Sequence, residues 1–138
     1  MKLSATGARR RAQQADHGVL CTLRADGRPD AVPACFAIDG DLLAVPIDRL
    51  KPKDPGPLQR MRNLAAHPEA TFLCERWDPT DWSRLWWVRL RIRLVTADPA
   101  ATDRLDGLLR SRYPQYRTVA FERLLVFRIE DVSGWSAV

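Results

Sequence analysis

The chain contains no apolar run close to the roughly 20 residues that a membrane-spanning helix needs. Its first residues carry three consecutive arginines but no apolar segment of the kind found in a secretory signal. The three cysteines lie in apolar segments without C-x-x-C spacing, which favours reduced core thiols over a disulfide or a metal site. These absences predict a cytoplasmic protein with no metal centre and no membrane contact.

The sequence also lacks the common catalytic motifs. It has no H-E-x-x-H, G-x-S-x-G, P-loop or Rossmann glycine pattern. Neither His17 nor His67 has a carboxylate pair or a cysteine partner nearby in sequence, so both histidines are assigned to structure. If the protein is an enzyme, a cofactor must therefore carry the difficult chemical step, and the protein must bind and orient it.

Composition predicts a single domain spanning residues 1–138, with 46% hydrophobic and 28% charged residues. The net charge is +5, and nearly all the positive charge comes from arginine. Such a balance suits an anionic ligand, either a phosphorylated cofactor or a nucleic acid, and does not distinguish between them.

Lysine is scarce, and two of the three lysines, Lys51 and Lys53, fall in one loop. This loop leads into a predicted helix over residues 57–66, with Pro57 in its first turn. Arg60 and Arg62 add two more cations near the start of the helix, where unpaired N–H groups and the helix dipole already favour anions. The run predicts a seat for a phosphate, and the alternative is a solvated basic loop.

The periodicity predicts an antiparallel barrel of six strands with short helices at its corners. Asp26-Gly27 and Asp39-Gly40 predict tight turns in a three-strand meander. Pro33 predicts a strand edge or bulge, because proline cannot donate to a ladder. The strands are predicted at residues 19–23, 31–38, 42–47, 70–77, 86–94 and 124–132, and helices at residues 4–15, at 57–66 and after Asp98, the last with a buried stripe of Leu105, Leu108 and Leu109.

Five tryptophans in a chain of this size favour core and interface positions. Trp86 is in phase with the apolar positions of its strand and is predicted to be core. Trp87 is in phase with Arg89 and is predicted to face outward, where an arginine could stack on it. Trp82 and Trp135 are predicted to lie in loops and to contact a ligand or a partner subunit.

Two sets of short motifs follow one another in order along the chain. The first set is Leu23-Arg24-Ala25-Asp26-Gly27-Arg28-Pro29, Val32-Pro33, Lys51-Pro52-Lys53 and Arg62-Asn63-Leu64-Ala65-Ala66-His67-Pro68; the second is Asp81-Trp82-Ser83-Arg84-Leu85-Trp86-Trp87-Val88-Arg89, Arg112-Tyr113-Pro114-Gln115-Tyr116 and Val132-Ser133-Gly134-Trp135. The first set resembles the split β-barrel flavin-binding family of pyridoxamine phosphate oxidase type. Together with the second set, it is similar to the branch of that family that uses the deazaflavin coenzyme F420.

The resemblance implies a mainly β (α+β) fold, a six-stranded antiparallel split β-barrel with short peripheral helices. It also implies a homodimer with two cofactor sites at the subunit interface. The cofactor phosphate would be held by basic residues around the second helix, the ring would lie along the second strand, and an aromatic residue, from the partner subunit in one arrangement, would lie near the cofactor. The matching positions are Lys51, Lys53, Arg60 and Asn63 for the phosphate, Val32, Pro33 and Ala34 for the ring, and Trp82 for the aromatic residue.

Two positions leave alternatives open, and two prolines depart from the pattern of the family. Asn63 could hold a phosphate oxygen or cap a backbone group of its helix. Ile92 stands where the family often has glycine, so it could narrow a pocket or fill the core. Pro55 and Pro57 stand where relatives often have hydroxyl residues, which would remove donors to a phosphate.

The predicted function is hydride transfer between F420, or FMN as second choice, and a small organic substrate that the sequence does not identify. The preference for F420 comes from the resemblance alone. One alternative is a protein of the same fold that binds a flavin or a tetrapyrrole without turnover. Another is a nucleic-acid-binding barrel that uses Arg89, Arg91 and Arg93, and it is disfavoured because no stacked aromatic platform accompanies the arginines.

Overall fold

A computed structural model describes residues 1–48 and 58–138, in which seven antiparallel strands form one sheet. The spatial order of the strands is β2-β1-β5-β6-β7-β4-β3. The strands are β1 (Gly18–Leu23), β2 (Pro29–Ala34), β3 (Ala37–Asp39), β4 (Leu42–Ile47), β5 (Glu69–Arg76), β6 (Trp86–Leu94) and β7 (Arg123–Ser136), and the helices are α1 (Ala5–Gln14), α2 (Gln59–Ala66) and α3 (Pro99–Arg112).

The sheet curls around one hydrophobic core. Leu20 of β1, near one end of the sheet, belongs to the same buried cluster as Val45 of β4, near the other end. Phe72 and Phe127 fill the middle, and Ala8 of α1 packs onto the same cluster. The predicted fold class, a mainly β antiparallel barrel of split type with short helices, is confirmed.

The other face of the β3–β4–β7 end is covered by α3. Leu105 and Leu109 are fully buried there against Ala44 and Val126. Leu108, which the sequence placed in the same stripe, is instead 38% exposed, so this part of the prediction is wrong. The helix begins where it was predicted to begin, because the Asp98 side chain accepts a hydrogen bond from the N–H of Ala101.

The predicted strand at residues 31–38 is two strands, which raises the count from six to seven. Cys35 and Phe36 separate β2 from β3, and the two strands lie at opposite edges of the sheet. The predicted three-strand meander is therefore wrong, since β2 pairs with β1 while β3 pairs with β4. The two tight turns are confirmed, and Gly27 and Gly40 both have positive φ, of 87° and 58°.

Within the described part of the chain, no helix has the length and apolar character needed to cross a membrane.

β1 packs closely against β5 at Gly18. A Cβ at this position would lie 2.2 Å from Cε1 of Phe72 and 2.8 Å from the carbonyl oxygen of Leu73. Because backbone cannot move aside cheaply, we expect Gly18→Ala to lower the free energy of unfolding by about 1–3 kcal/mol.

Gly107→Ala is the matched control, because a Cβ added at this helical glycine meets nothing within 4 Å. It should raise the free energy of unfolding by about 0.5–1 kcal/mol. Both values are measured by urea denaturation, and equal effects of the two substitutions would contradict the close packing of β1 on β5.

Candidate functional site

Arg60 lies in the first turn of α2 and lines a groove of about 230 Å³ between this helix, β1 and β2. Leu20, Thr22 and Val32 contribute to the walls of the groove. The Nε atom of Arg60 is buried and has no hydrogen-bond partner among the described residues. Burial lowers the pKa of the Arg60 guanidinium, and the nearby Asp48 and Tyr116 act in the opposite direction.

The start of α2 has no side-chain cap. Leu58 occupies the N-cap position with extended backbone, and in the described residues no side chain accepts a hydrogen bond from the first turn. An apolar residue at an N-cap leaves the first N–H groups of the helix available to water or to a ligand. Among the described residues, the first turn of α2 therefore has no side-chain acceptor for its N–H groups, and it lies beside the Arg60 guanidinium.

Asn63 is buried behind this turn and is fully engaged. Its Nδ2 atom donates to Oγ1 of Thr22 at 2.9 Å and to Oδ2 of Asp30 at 2.8 Å. Its Oδ1 atom accepts from Nε2 of Gln59 at 2.7 Å. The side chain thus neither caps a backbone group nor presents a free donor to a phosphate, and it ties α2 to β1 and β2.

The groove carries more positive than negative charge among its described lining residues. Arg24 and Arg60 are its cations, and Asp30 is its single acid. Asp30 is already engaged, because its Oδ2 atom accepts from Asn63 and lies 3.4 Å from Nη1 of Arg24. Lys51 and Lys53, the two lysines of the predicted phosphate seat, lie outside the described residues, as do Pro55 and Pro57.

The three residues predicted to face the cofactor ring all lie on β2, which forms one edge of the sheet. Val32 and Ala34 are half-buried and pack against the core, whereas Pro33 is exposed and pairs with Val19. The expectation that Pro33 marks a strand edge is confirmed. One side of this strand is thus without a described strand neighbour.

Trp82 lies apart from the groove. It begins a short 3₁₀ helix between β5 and β6 and is 67% exposed, with its ring centroid 6.1 Å from that of Trp77. Within one chain it does not line the groove around Arg60. The role that the resemblance implies for it stays a prediction, and it would require the Trp82 of a second subunit.

Trp86, Trp87 and Ile92 face the sides of β6 that the strand periodicity predicts, whereas Trp135 differs from its prediction. Trp86 and Ile92 are buried in the main core, so Ile92 fills the core. Trp87 faces the other side of β6, and the guanidinium of Arg89 lies 5.3 Å from its ring centroid. Trp135 is part of β7 and pairs with Trp87, so its predicted position in a loop is wrong.

A second cavity, of about 740 Å³, was not predicted. Cys35, Asp48, Tyr113 and Tyr116 are among the described residues that line it. The Tyr116 hydroxyl lies 3.3 Å from Oδ2 of Asp48, and Tyr116 packs edge-on against Phe121 with centroids 5.0 Å apart. Burial raises the pKa of Tyr116, and Cys35 and Asp48 raise it further, so the phenol stays protonated at neutral pH. The motif Tyr113-Pro114-Gln115-Tyr116 was the available signal, but only the fold brings it to Cys35.

The outward face of the sheet is partly apolar. Val19, Leu73 and Arg89 stand in register across β1, β5 and β6. Val19 and Leu73 are half-buried, and the Nε atom of Arg89 is buried without a hydrogen-bond partner in the described parts of the chain. A buried guanidinium nitrogen without a partner requires an explanation, because nearly all buried polar groups in native proteins are hydrogen-bonded.

The curled antiparallel sheet, with a basic groove beside its β2 edge, has the architecture of a split β-barrel. Residues 7–136 match the family model described as pyridoxamine 5'-phosphate oxidase, so the chain belongs to this family. No curated protein sequence matches the chain significantly.

Solved structures share the fold at low sequence identity. A FAD-binding protein from Mesorhizobium loti is 17% identical with a TM-score of 0.72, covering 97% of this chain and 95% of that one. A heme-binding protein from Mycobacterium smegmatis is 15% identical with a TM-score of 0.72, covering 98% of this chain and 59% of that one. A heme storage protein from Vibrio cholerae is 16% identical with a TM-score of 0.60, covering 90% and 89%. Identities this low establish the shared fold alone.

The Asn63 bonds generate a stability prediction. Asn63→Ala leaves Thr22, Asp30 and Gln59 each without one partner, and we expect the free energy of unfolding to fall by about 1–3 kcal/mol. Arg62→Ala is the control, because Arg62 is exposed on the same helix and, among the described residues, donates to Oε1 of Gln59. It should change stability by less than about 0.5 kcal/mol. If chemical denaturation shows no change in the free energy of unfolding for Asn63→Ala, the role of Asn63 in holding α2 against β1 and β2 is contradicted.

Proposed function

We propose that this protein is an oxidoreductase that binds coenzyme F420, or FMN as second choice, and transfers a hydride between it and a small organic substrate. The observation that carries the proposal is the buried Nε atom of Arg60, which has no hydrogen-bond partner among the described residues. It lies beside the first turn of α2, which no described side chain caps. A phosphate oxygen would satisfy both the guanidinium and the open N–H groups. Family membership supports a flavin-type cofactor, and the choice of F420 rests on the resemblance of the tryptophan-rich motif.

The described residues fit such a group. Arg60 and the first N–H groups of α2 would hold the phosphate, with Lys51 and Lys53 as the further cations that the sequence predicts. Val32 and Ala34 on the edge strand β2 would support the ring through apolar contact. Asn63 would act indirectly, because its bonds to Thr22 and Asp30 keep α2, and therefore Arg60, beside β2.

When bound, the reduced cofactor supplies a hydride equivalent, which the protein itself has no group to provide. The chain must bring the substrate within about 3–3.5 Å of the donor atom and keep water away from it. The curled sheet suits this task, because the groove walls are built from strands with a common rigid core.

We also propose that the protein is a homodimer that joins through the outward sheet face bearing Val19, Leu73 and Arg89. This face is partly apolar, and a partner acceptor for the buried Nε of Arg89 would remove its unsatisfied donor. The dimer would also give a second subunit the chance to bring Trp82 to the cofactor.

A protein of the same fold that binds a tetrapyrrole without turnover is the second candidate, since two structural neighbours are heme-binding or heme storage proteins. The two histidines favour it less. The Nε2 atom of His67 is buried, and Nδ1 of His17 lies 2.6 Å from Asp16. Neither histidine is among the described residues that line the groove or the second cavity.

Cofactor binding tests the main proposal. We expect F420 or FMN to bind the purified protein, followed by cofactor fluorescence, and Arg60→Ala to weaken binding about 10- to 100-fold through loss of a charge-assisted hydrogen bond. Lys51→Ala and Lys53→Ala should also weaken it. Arg62→Ala, which removes an exposed arginine from the same helix, should not.

Three results would count against the cofactor proposal. Failure to bind either cofactor at micromolar concentration would remove it. If Arg60→Ala and Arg62→Ala weaken cofactor binding equally, the binding depends on the overall positive charge of the surface and not on a specific site at Arg60. Tight binding of hemin with no binding of F420 or FMN would favour the tetrapyrrole candidate.

The dimer proposal has its own test. Leu73→Asp puts a charge at the centre of the outward face, and we expect it to convert a dimer into a monomer in light scattering coupled to gel filtration. Leu108→Asp is the control, because Leu108 is an exposed leucine on α3, away from this face, and the dimer should persist. A wild-type protein that is monomeric at high micromolar concentration would rule the dimer out.

A further inference from the structure

The second cavity lies beside the proposed cofactor groove. Val32 lines the groove and Cys35 lines the cavity, and only three residues of extended chain, about 10 Å, separate them. Arg60, on the groove side, is close enough to Asp48, which lines the cavity, for the negative charge of that carboxylate to raise the pKa of the guanidinium. A ring lying along β2 would therefore point one end toward the cavity.

The walls of the cavity are aromatic and apolar. Tyr113, Pro114, Tyr116 and Val119 contribute ring and aliphatic surface. The rings of Tyr113 and Tyr116 are held at 66° to each other with centroids 5.6 Å apart, and the Tyr113 hydroxyl donates to the carbonyl oxygen of Asp16 at 2.8 Å. A volume of about 740 Å³ is within the range of small-molecule pockets.

The polar groups of the cavity carry little net charge. No described lining residue has a cationic side chain, and the one carboxylate, Asp48, is engaged by Tyr116 and attracted by Arg60. The remaining polar groups are the Tyr116 hydroxyl, the Cys35 thiol, the Gln115 amide and the Thr118 hydroxyl, all uncharged hydrogen-bonding groups. Such a lining gives an anionic ligand no opposite charge, and it offers a cationic ligand only a carboxylate that other groups already engage.

We infer that this cavity is the substrate site and that it takes a neutral, planar, largely apolar organic compound with one or two hydrogen-bonding oxygens. That the ligand is a substrate rests on the proposed function. Its binding in the cavity does not require the cofactor. The anionic tail of the cofactor and the neutral substrate would then occupy separate regions of opposite character, joined along β2.

Three compounds that share a naphthalene ring provide the test. They are 2-acetonaphthone, which is neutral, 2-naphthoate, which is anionic, and 2-naphthylmethylammonium, which is cationic. The readout is the rate at which iodoacetamide alkylates Cys35, followed by peptide mass spectrometry on the full chain without cofactor. We expect the ketone to protect Cys35 at least about 10-fold more effectively than either ion, because a charge that leaves water without a free opposite partner binds less favourably than a neutral group.

Two exposed positions in one segment give matched variants. Thr118 lines the cavity and Ala120 does not. Thr118→Trp should abolish protection by the ketone, and Ala120→Trp should leave it unchanged. Gln115→Trp, also an exposed lining position, serves as the second blocking variant should the melting temperature of Thr118→Trp fall.

Several outcomes overturn the inference. They are protection by the carboxylate or the ammonium equal to that by the ketone, protection that survives both blocking variants, and a Cys35 that is not alkylated even without ligand. The result is separable from the cofactor proposal. If the ketone binds and neither cofactor binds, the assignment of a neutral ligand to the cavity stands and the proposed oxidoreductase function is refuted. If a cofactor binds and the ketone does not, the proposed function stands and the assignment of the cavity is refuted.

Discussion

The link of two residues between β2 and β3 forces the shape of the molecule. These strands are opposite edges of a seven-strand sheet, and strands about 4.8 Å apart would separate the edges of a flat sheet by about 29 Å. Cys35 and Phe36 can span only about 11 Å, because successive Cα atoms are about 3.8 Å apart. The sheet must therefore curl until its edges approach, and the fully buried Phe36 anchors the link in the core.

The curl places the two candidate regions side by side. The link leaves β2 next to the groove and passes through Cys35 at the wall of the cavity. In this arrangement Asn63 sets the position of α2, since one buried amide joins the helix to both β1 and β2. The Arg60 guanidinium is then held where it is partly desolvated, and such a position is costly unless an anion compensates it.

The local pattern of the sequence was enough to predict the helices and most of the strands, but it did not predict the spatial order of the strands in the sheet. Period-two alternation and the Asp-Gly turns predicted β4 and β6 with the bounds that the structure has, and the capping Asp98 fixed the start of α3. The break at Cys35-Phe36 was missed because both residues are as apolar as a strand interior, and nothing local shows that the chain changes edges there. Leu108 was misplaced because a helix packed on one sheet face buries a narrower stripe than its apolar residues suggest.

Of the candidate site, the sequence predicted the types of residue better than their roles. Arg60 and Val32 do line one groove, as the sequence predicted. Asn63, however, forms its hydrogen bonds with neighbouring protein side chains, and these contacts follow from the fold and not from the motif. The Tyr113-Pro114-Gln115-Tyr116 motif was visible, yet its connection with Cys35 and Asp48 depends on contacts across more than 60 residues of chain. Chemistry that depends on such long-range contacts cannot be read from spacing.

Under the proposed function, the distribution of charge would separate binding of the cofactor tail from binding of the substrate. The described lining of the groove has two arginines and one engaged acid, whereas the described lining of the cavity has no cation and one engaged acid. A phosphorylated tail gains from the groove and would lose in the cavity, and a neutral aromatic compound has the reverse preference. FMN and F420 both place a phosphate on a ribityl chain, so the groove does not discriminate between them. The discrimination must come from contacts to the ring and to whatever extends beyond the phosphate.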